Sequence, residues 1–360
     1  MDKRLWSDKA KSLTPYVPGE QPKHDNLCKL NTNENPFAPS PKVMDAIGAV
    51  LANDANTLRL YPEPESDELC SVLADYHGLD TSQVFVGNGS DEVLALVFAS
   101  FFMKDKPLLL PDISYSFYPV YAQTFGVATK SIALDESFAI NVDDYVGECG
   151  GIIFANPNAP TGRLMPIAQI RQLAQRHTDA VVVVDEAYID YADDVSTASA
   201  ISLIDEFDNI VVVQTFSKSR ALAGMRVGVA FANPSLIAAL MAMKNSFNSY
   251  PLDRLAQAAA IASIQDEAYF QEKRQAVIHL RQDLTAHLQQ LGFEVLPSAA
   301  NFVFAKPSQM PAAIIAEKLR EEGVIIRHFK QARIENYLRI SVGNREQNAR
   351  LIEVLTQILA

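Results

Sequence analysis

The chain has 360 residues, enough for one large and one smaller domain, and its 48 % hydrophobic content supports a sizeable core. A formal charge of −12, with no run of Lys or Arg, argues against nucleic acid as a partner. No stretch approaches the ~20 apolar residues of a membrane helix, and the first residues lack an apolar leader core. Cys28, Cys70 and Cys149 are odd in number and widely spaced, which suits neither a disulfide framework nor a metal site. The expectation is a cytoplasmic protein with reduced thiols and no membrane partner.

Residues 1–30 carry Pro15, Pro18, Gly19 and Pro22 and read as an N-terminal arm. A helix is expected after Pro41 and another over residues 66–77. A strand at 83–86 then leads through Gly87-Asn88-Gly89-Ser90-Asp91-Glu92 into an apolar helix ending at Phe102. Strands follow at 108–110, 151–155, 180–184, 210–213 and 226–231, with helices at 115–125 and 167–177. The strand runs are rich in Val and Ile and show no polar alternation, the pattern of strands buried on both faces. Residues 31–250 are therefore expected to form an α/β domain with a mostly parallel, helix-flanked sheet. Its first segment, about 31–50, is assigned either to this domain or to packing with the next.

The pattern changes near Pro251. One long helical region is expected over 253–291, where Val277, Leu280, Leu284, Leu288 and Leu291 make a single apolar stripe and Gly292 is placed to end it. A strand at 301–305, a helix at 312–322, strands at 324–327 and 337–342 and a last helix from Arg345 make residues 251–360 a smaller α+β unit.

Five side chains of different chemistry lie at or near strand ends: Asn156, Asp185, Tyr188, Lys218 and Arg226. That set meets the demands of pyridoxal phosphate. Its aldehyde needs a lysine, its pyridine nitrogen a carboxylate, and its phosphate a set of donors. Lys218 follows a strand between Ser217 and Ser219; alone it would read as a solvated lysine, but Thr215, Ser217 and Arg226 can converge on a phosphate beside it. Asp185 ends a buried strand, where ligands of open α/β sheets bind; its plainer reading is a turn cap. Tyr188 and Asn156 can each reach the ring's phenolic oxygen, or serve as structural hydrogen bonds. Gly89-Ser90-Asp91 opens a helix with free N–H groups, a weak anion-binding signal by itself. Tyr115 is either a stacking partner for the ring or an ordinary half-buried aromatic. Arg327 and Arg339 flank the last strands as an anion clamp or as surface ion pairs.

These segments resemble the fold type I pyridoxal-phosphate-dependent aminotransferases, over nearly the whole chain. The resemblance rests on Asn156-Pro157-Asn158-Ala159-Pro160-Thr161-Gly162, Asp185-Glu186-Ala187-Tyr188 and Thr215-Phe216-Ser217-Lys218 with Arg226. Leu30-Asn31-Thr32-Asn33-Glu34-Asn35-Pro36, Tyr61-Pro62-Glu63-Pro64 and Leu338-Arg339-Ile340-Ser341-Val342-Gly343 point to the histidinol-phosphate branch. The resemblance implies a seven-stranded, mostly parallel sheet in the large domain and a two-fold homodimer with the site between domains. It implies L-histidinol phosphate, 2-oxoglutarate and glutamate as substrates and products in histidine biosynthesis. It implies that Lys218 bears the cofactor and moves the proton, Asp185 pairs with the pyridine nitrogen, Asn156 and Tyr188 contact the ring oxygen, and Tyr115 stacks. Gly89, Ser90, Asp91, Thr215, Ser217 and Arg226 would surround the phosphate, with Tyr61 from the neighbouring subunit. Tyr16, Asn35, Tyr61, Arg327 and Arg339 would face substrate. Three rival readings remain on these motifs: an aromatic amino-acid aminotransferase acting on phenylalanine, tyrosine or arogenate, a phosphothreonine decarboxylase, and a cofactor-binding protein without turnover.

Overall fold

The computed structural model describes residues 2–15, 20, 27–52 and 55–360. Among them, strand β1 (Cys28–Leu30) comes first in the chain and stands apart from the larger sheet. That sheet holds β2 (Val84–Asn88), β3 (Leu108–Pro111), β4 (Thr129–Ile132), β5 (Gly151–Ala155), β6 (Val182–Asp185), β7 (Ile210–Thr215) and β8 (Val227–Ala232), in the order β2-β8-β7-β6-β5-β3-β4. The run from β7 to β4 is parallel, and β8 lies antiparallel to both β7 and β2.

Both faces of this sheet are covered. Ile152, Phe154, Val182, Val184 and Val212 point into one helix-packed layer, and Ile153, Val183, Val211 and Val213 into the other, all fully buried. The absence of polar alternation in the sequence follows from this two-sided burial. Each such side chain contributes about 1.5–3 kcal/mol by leaving water, and Ile152→Ala would cost roughly 2–5 kcal/mol because a dense layer does not collapse around the void. The edge strand β4 was not anticipated. Thr129, Lys130 and Ser131 are exposed and only Ile132 is buried, so its sequence carries the polar signature of a guarded edge rather than of a strand core.

The long helix expected over 253–291 is two helices, Arg254–Gln265 and Glu267–Gln290. At the break, Asp266 leaves helical geometry (φ −103°, ψ 58°), and its carboxylate accepts from Ser40 Oγ at 2.5 Å and pairs with Lys42 at 3.1 Å. Asp253 caps the first helix through Leu255 N and Ala256 N. Its Ala256, Ala259 and Ala260 then pack with Val43, Val84 and Val212, in the core of the larger sheet. The change of core therefore falls at Asp266 rather than near residue 250.

The second sheet adds β9 (Phe293–Val295), β10 (Phe302–Pro307), β11 (Val324–His328) and β12 (Leu338–Ser341), in the order β1-β11-β12-β10-β9. Val277, Leu280, Leu284 and Leu288 of Glu267–Gln290 cover it as the predicted stripe, and Gly292 ends that helix at φ +84°. Strand β1 is parallel to β11, with Cys28 opposite Val324 and Leu30 opposite Ile326. Residues 28–30 thus belong to the small sheet, not to an arm, because Cys28 and Leu30 bury against its core. The three cysteines are free. No helix among the described residues is long and apolar enough to cross a membrane.

Candidate functional site

Parallel strands β5 and β6 end level, with Ala155 opposite Asp185, while neighbouring β7 runs on past Val213 to Thr215. Their carboxyl ends open a cavity of about 200 Å³ lined by Ser90, Asp91, Tyr115, Asp185, Tyr188, Thr215, Ser217, Lys218 and Arg226, among others. A second cavity of about 150 Å³ shares Thr32, Tyr115, Ala159, Tyr188 and Lys218 with the first and continues to Arg327, Phe329 and Arg339 of the small sheet. Lys218 lies where the two meet.

One end of the larger cavity is built for an anion. The helix Gly89–Val97 begins directly after β2, and Gly89 has φ +75°. A Cβ on Gly89 would overlap the Arg226 guanidinium, and a Cβ on Gly228 of β8 would overlap the Gly89–Ser90 backbone. Bare backbone at both positions lets a strand, a helix N-terminus and a guanidinium share one corner. Arg226 lies 3.4 Å from Asp91, and Tyr115 donates to the other Asp91 oxygen at 2.9 Å. The hydroxyls of Thr215 and Ser217 lie 3.0 Å apart at the same corner.

The opposite end holds Asp185, only 5 % exposed. Its Oδ2 accepts from Tyr118 Oη at 2.8 Å and its Oδ1 from Ala187 N at 3.2 Å. Burial dominates and pushes the carboxyl up to about 6, against these two hydrogen bonds. A cationic partner inside the cavity would hold it ionised. Between the ends, Lys218 Nζ donates to Thr32 O at 3.3 Å and stands 5.7 Å from the Tyr188 ring centre.

In the smaller cavity, Arg327 and Arg339 are direct cross-strand partners on β11 and β12. Both guanidinium groups lie over Phe329, at 5.7 and 5.8 Å, and Arg339 also donates to Asn31 O at 2.8 Å.

Two of the expected site residues, Asn156 and Asn35, do not line either cavity. Asn156 is fully buried, and its amide closes on Met165, accepting from N at 2.7 Å and donating to O at 3.3 Å; Ala159 stands at the cavity wall instead. Asn35 does not reach either cavity. Its Nδ2 donates to the carbonyls of Lys218 and Ser219, both at 3.0 Å, so it braces the turn that carries the lysine. Tyr61 is 76 % exposed, stacked on Tyr250 at 4.7 Å, outside both cavities of its own chain. Tyr16 lies outside the described residues.

Sequence reading missed Tyr118 and the Thr32–Asn33 pair. Tyr118 stands three residues after Tyr115, a helical spacing that could have flagged a second inward phenol. Thr32 and Asn33 carried no local signal, because their role depends on a strand-to-site path set by the small sheet.

The group tested against this geometry is pyridoxal phosphate. A glycine-cleared helix N-terminus with an arginine and two hydroxyls suits its phosphate, a buried carboxylate suits a protonated ring nitrogen, and a lysine lies between. The chemistry of the donor set fits.

A family profile described as "Aminotransferase class I and II" matches residues 25–355. A Psychrobacter arcticus protein named histidinol-phosphate aminotransferase 2 is 62 % identical, across 100 % of this chain and 97 % of its own. An Acinetobacter baumannii histidinol-phosphate aminotransferase is 57 % identical, covering 98 % and 97 %. Among solved structures, the histidinol-phosphate aminotransferase of Sinorhizobium meliloti, in complex with pyridoxal-5'-phosphate, superposes with a TM-score of 0.84 at 24 % identity, covering 92 % of this chain and 90 % of that one.

Proposed function

We propose that this chain, which belongs to the class I and II aminotransferase family, transfers the amino group of L-histidinol phosphate to 2-oxoglutarate in histidine biosynthesis, giving imidazole-acetol phosphate and glutamate. The observation that carries the substrate is the name shared by relatives 62 % and 57 % identical over essentially the whole chain. The cavity chemistry agrees with it. Arg327 and Arg339 offer two guanidinium forks to a phosphate, then to the carboxylates of the oxoacid, and Phe329 offers a flat apolar face to an imidazole.

Pyridoxal phosphate, when bound, supplies an aldehyde for covalent attachment and an electron sink for the carbon that loses its proton. The chain's residues do the rest. Lys218 would bear the cofactor, and its amine, freed when the substrate amine takes its place, would accept the Cα proton and deliver it to the carbon on the far side of the substrate nitrogen. Asp185, ionised beside the ring nitrogen, keeps that nitrogen protonated. Gly89, Ser90, Thr215, Ser217 and Arg226 hold the phosphate, with Asp91 orienting Arg226 and Tyr115. Tyr188 donates to the ring oxygen, and Tyr115 packs against the ring face. Arg327 and Arg339 fix the substrate's anionic end, so that its Cα stays within reach of Lys218.

We assign the chain to a cytoplasmic homodimer in which Tyr61 reaches the phosphate end of the neighbouring subunit's site. Tyr61 is exposed beside exposed Leu58 and Leu60, an apolar set suited to a two-fold contact.

The test is one half-reaction. Purified cofactor-loaded protein is mixed with L-histidinol phosphate and no oxoacid, and the visible cofactor band is followed. Loss of the band at low ligand concentration, with pyridoxamine phosphate released on denaturation, supports the reading. A band that persists there but is lost with phenylalanine or tyrosine would move the substrate to aromatic amino acids.

A further inference from the structure

Asn33 is 1 % exposed and left-handed (φ +57°), and each of its polar groups has a partner. Its backbone N–H donates to Ser341 Oγ at 2.9 Å, and the Ser341 hydroxyl donates back to Asn33 Oδ1 at 2.9 Å. Asn301 Nδ2 donates to Asn33 O at 2.9 Å. Asn33 Nδ2 donates to Tyr188 Oη at 3.0 Å.

Ser341 Oγ accepts the backbone N–H on one lone pair and gives its single proton to the Asn33 amide oxygen. The NH₂ end of the amide is thereby turned to Tyr188. Tyr188 Oη receives that proton on a lone pair, so its own O–H must be donated elsewhere. Its ring lines both cavities.

We infer that Asn33, oriented by Ser341, is a positioning residue that makes Tyr188 a hydrogen-bond donor into the cofactor cavity. The inference rests on the proposed reading that Tyr188 faces the cofactor's ring oxygen. It gives the small sheet, through Ser341 of β12, a direct hand in the electronics of a site on the larger sheet. The adjoining residues extend the link, since Asn31 O accepts from Arg339 and Thr32 O from Lys218.

The experiment is a pH titration of the visible band of cofactor-loaded protein without substrate. A donor on the ring oxygen draws off negative charge that otherwise retains the proton on the neighbouring lysine-linked nitrogen. Tyr188→Phe should therefore raise the midpoint by about one pH unit. Asn33→Asp keeps the size and tolerates left-handed backbone. Its second carboxylate oxygen would accept the Tyr188 proton, turning the donor away, so its midpoint should rise by a similar amount. In a Tyr188→Phe background the Asn33→Asp shift should largely vanish. Ser341→Ala, which frees the amide to turn without adding charge, should move the midpoint part of the way.

The charged groups around Tyr188 are Lys218, Asp185, Asp91, Glu34 and Arg226 in the larger cavity and Arg327 and Arg339 in the smaller, and all are retained in every variant. An Asn33→Asp shift that survives intact in the Tyr188→Phe background would be the field of the new charge alone and would overturn the inference. So would unshifted midpoints in Asn33→Asp and Ser341→Ala while Tyr188→Phe shifts. Wild-type protein without a visible band, or an unshifted Tyr188→Phe, would instead overturn the assignment of Lys218 or Tyr188, and the inference with it.

Discussion

In the cavity at the edge of the larger sheet, acid and base stand face to face. Arg226 lies against Asp91, Asp185 takes hydrogen bonds from Tyr118 and Ala187, and Thr215 meets Ser217. The cavity that continues under the small sheet has Lys218, Arg327 and Arg339 in its wall and, among the described residues, no carboxylate lining it. The first arrangement is internally compensated, as suits a group that stays. The second presents positive charge to whatever enters, as suits anions that are exchanged on each turnover.

Substitutions can break that contrast on either side. The largest effect is expected at the shared wall: Lys218→Ala should lower turnover by roughly 10⁴–10⁶-fold, read in a coupled glutamate assay, while the folded protein retains cofactor non-covalently. Asp185→Asn comes next. An assembled site with turnover down about 10³-fold is expected, and near-normal turnover would remove Asp185 from the chemistry. Arg339→Ala, confined to the exchange side, should lower kcat/KM for the phosphorylated substrate by roughly 10²–10³-fold, with the cofactor band unchanged. A band that moved as well would mean the two cavities are not separable in this way. Gly228→Ala acts on the compensated side only. Its methyl would press on the Gly89–Ser90 backbone, so cofactor affinity should fall by roughly 10-fold or more, at about 1–3 kcal/mol of overpacking, measured by equilibrium dialysis.

The smallest effect tests the compensation itself in cofactor-free protein. Burial raises the Asp185 carboxyl from 3.8 to about 6. The folded chain therefore holds a proton there over a range in which the unfolded chain has lost it, and stability falls as pH rises from about 4 through about 6. Asp185→Asn carries no such titration. It should gain on wild type by about 2–3 kcal/mol across that window, seen as a smaller fall in melting temperature between pH 4 and pH 7 in the variant, the remainder belonging to groups such as Glu186, whose carboxyl burial raises to about 7. A constant offset between the two proteins would show that Asp185 stays ionised throughout.

The two cavities also differ in how far the sequence disclosed them. Asp185, Thr215, Ser217 and Lys218 sit at or just past the ends of buried strands and Arg226 directly before one, so a local pattern carries both the strand and the side chain that adjoins it. Asn156 also follows a buried strand directly, yet its amide closes on Met165, and it is Ala159 that stands at the wall. No strand-end rule distinguishes the two. Arg327 and Arg339 were visible as arginines in apolar strands, but their pairing required the β11–β12 register. Asn33 and Asn35 were legible only as part of a resemblance. Their partners Tyr188, Ser341 and Lys218 lie 155 to 308 residues away in the cases of Asn33 and 183 away for Asn35, beyond any periodicity.

Strand β1 carries a consequence for the order in which the molecule is made. Residues 28–30 leave the ribosome before any strand of the larger sheet, yet among the described residues their sheet neighbour is β11, residues 324–328, which leaves after all of that sheet. A contact of such long sequence separation forms late, after its loop-closure entropy has been met by other structure. The larger sheet, with the corner formed by Gly89, Gly228 and Arg226, can assemble on the nascent chain first. Residues 31–35, which follow β1 directly, are drawn to Lys218, Tyr188 and Arg339 only when β11 arrives. A partly synthesised chain thus holds the corner of Gly89, Gly228 and Arg226 before residues 31–35 reach Lys218, so the surroundings of that lysine are completed later than the corner.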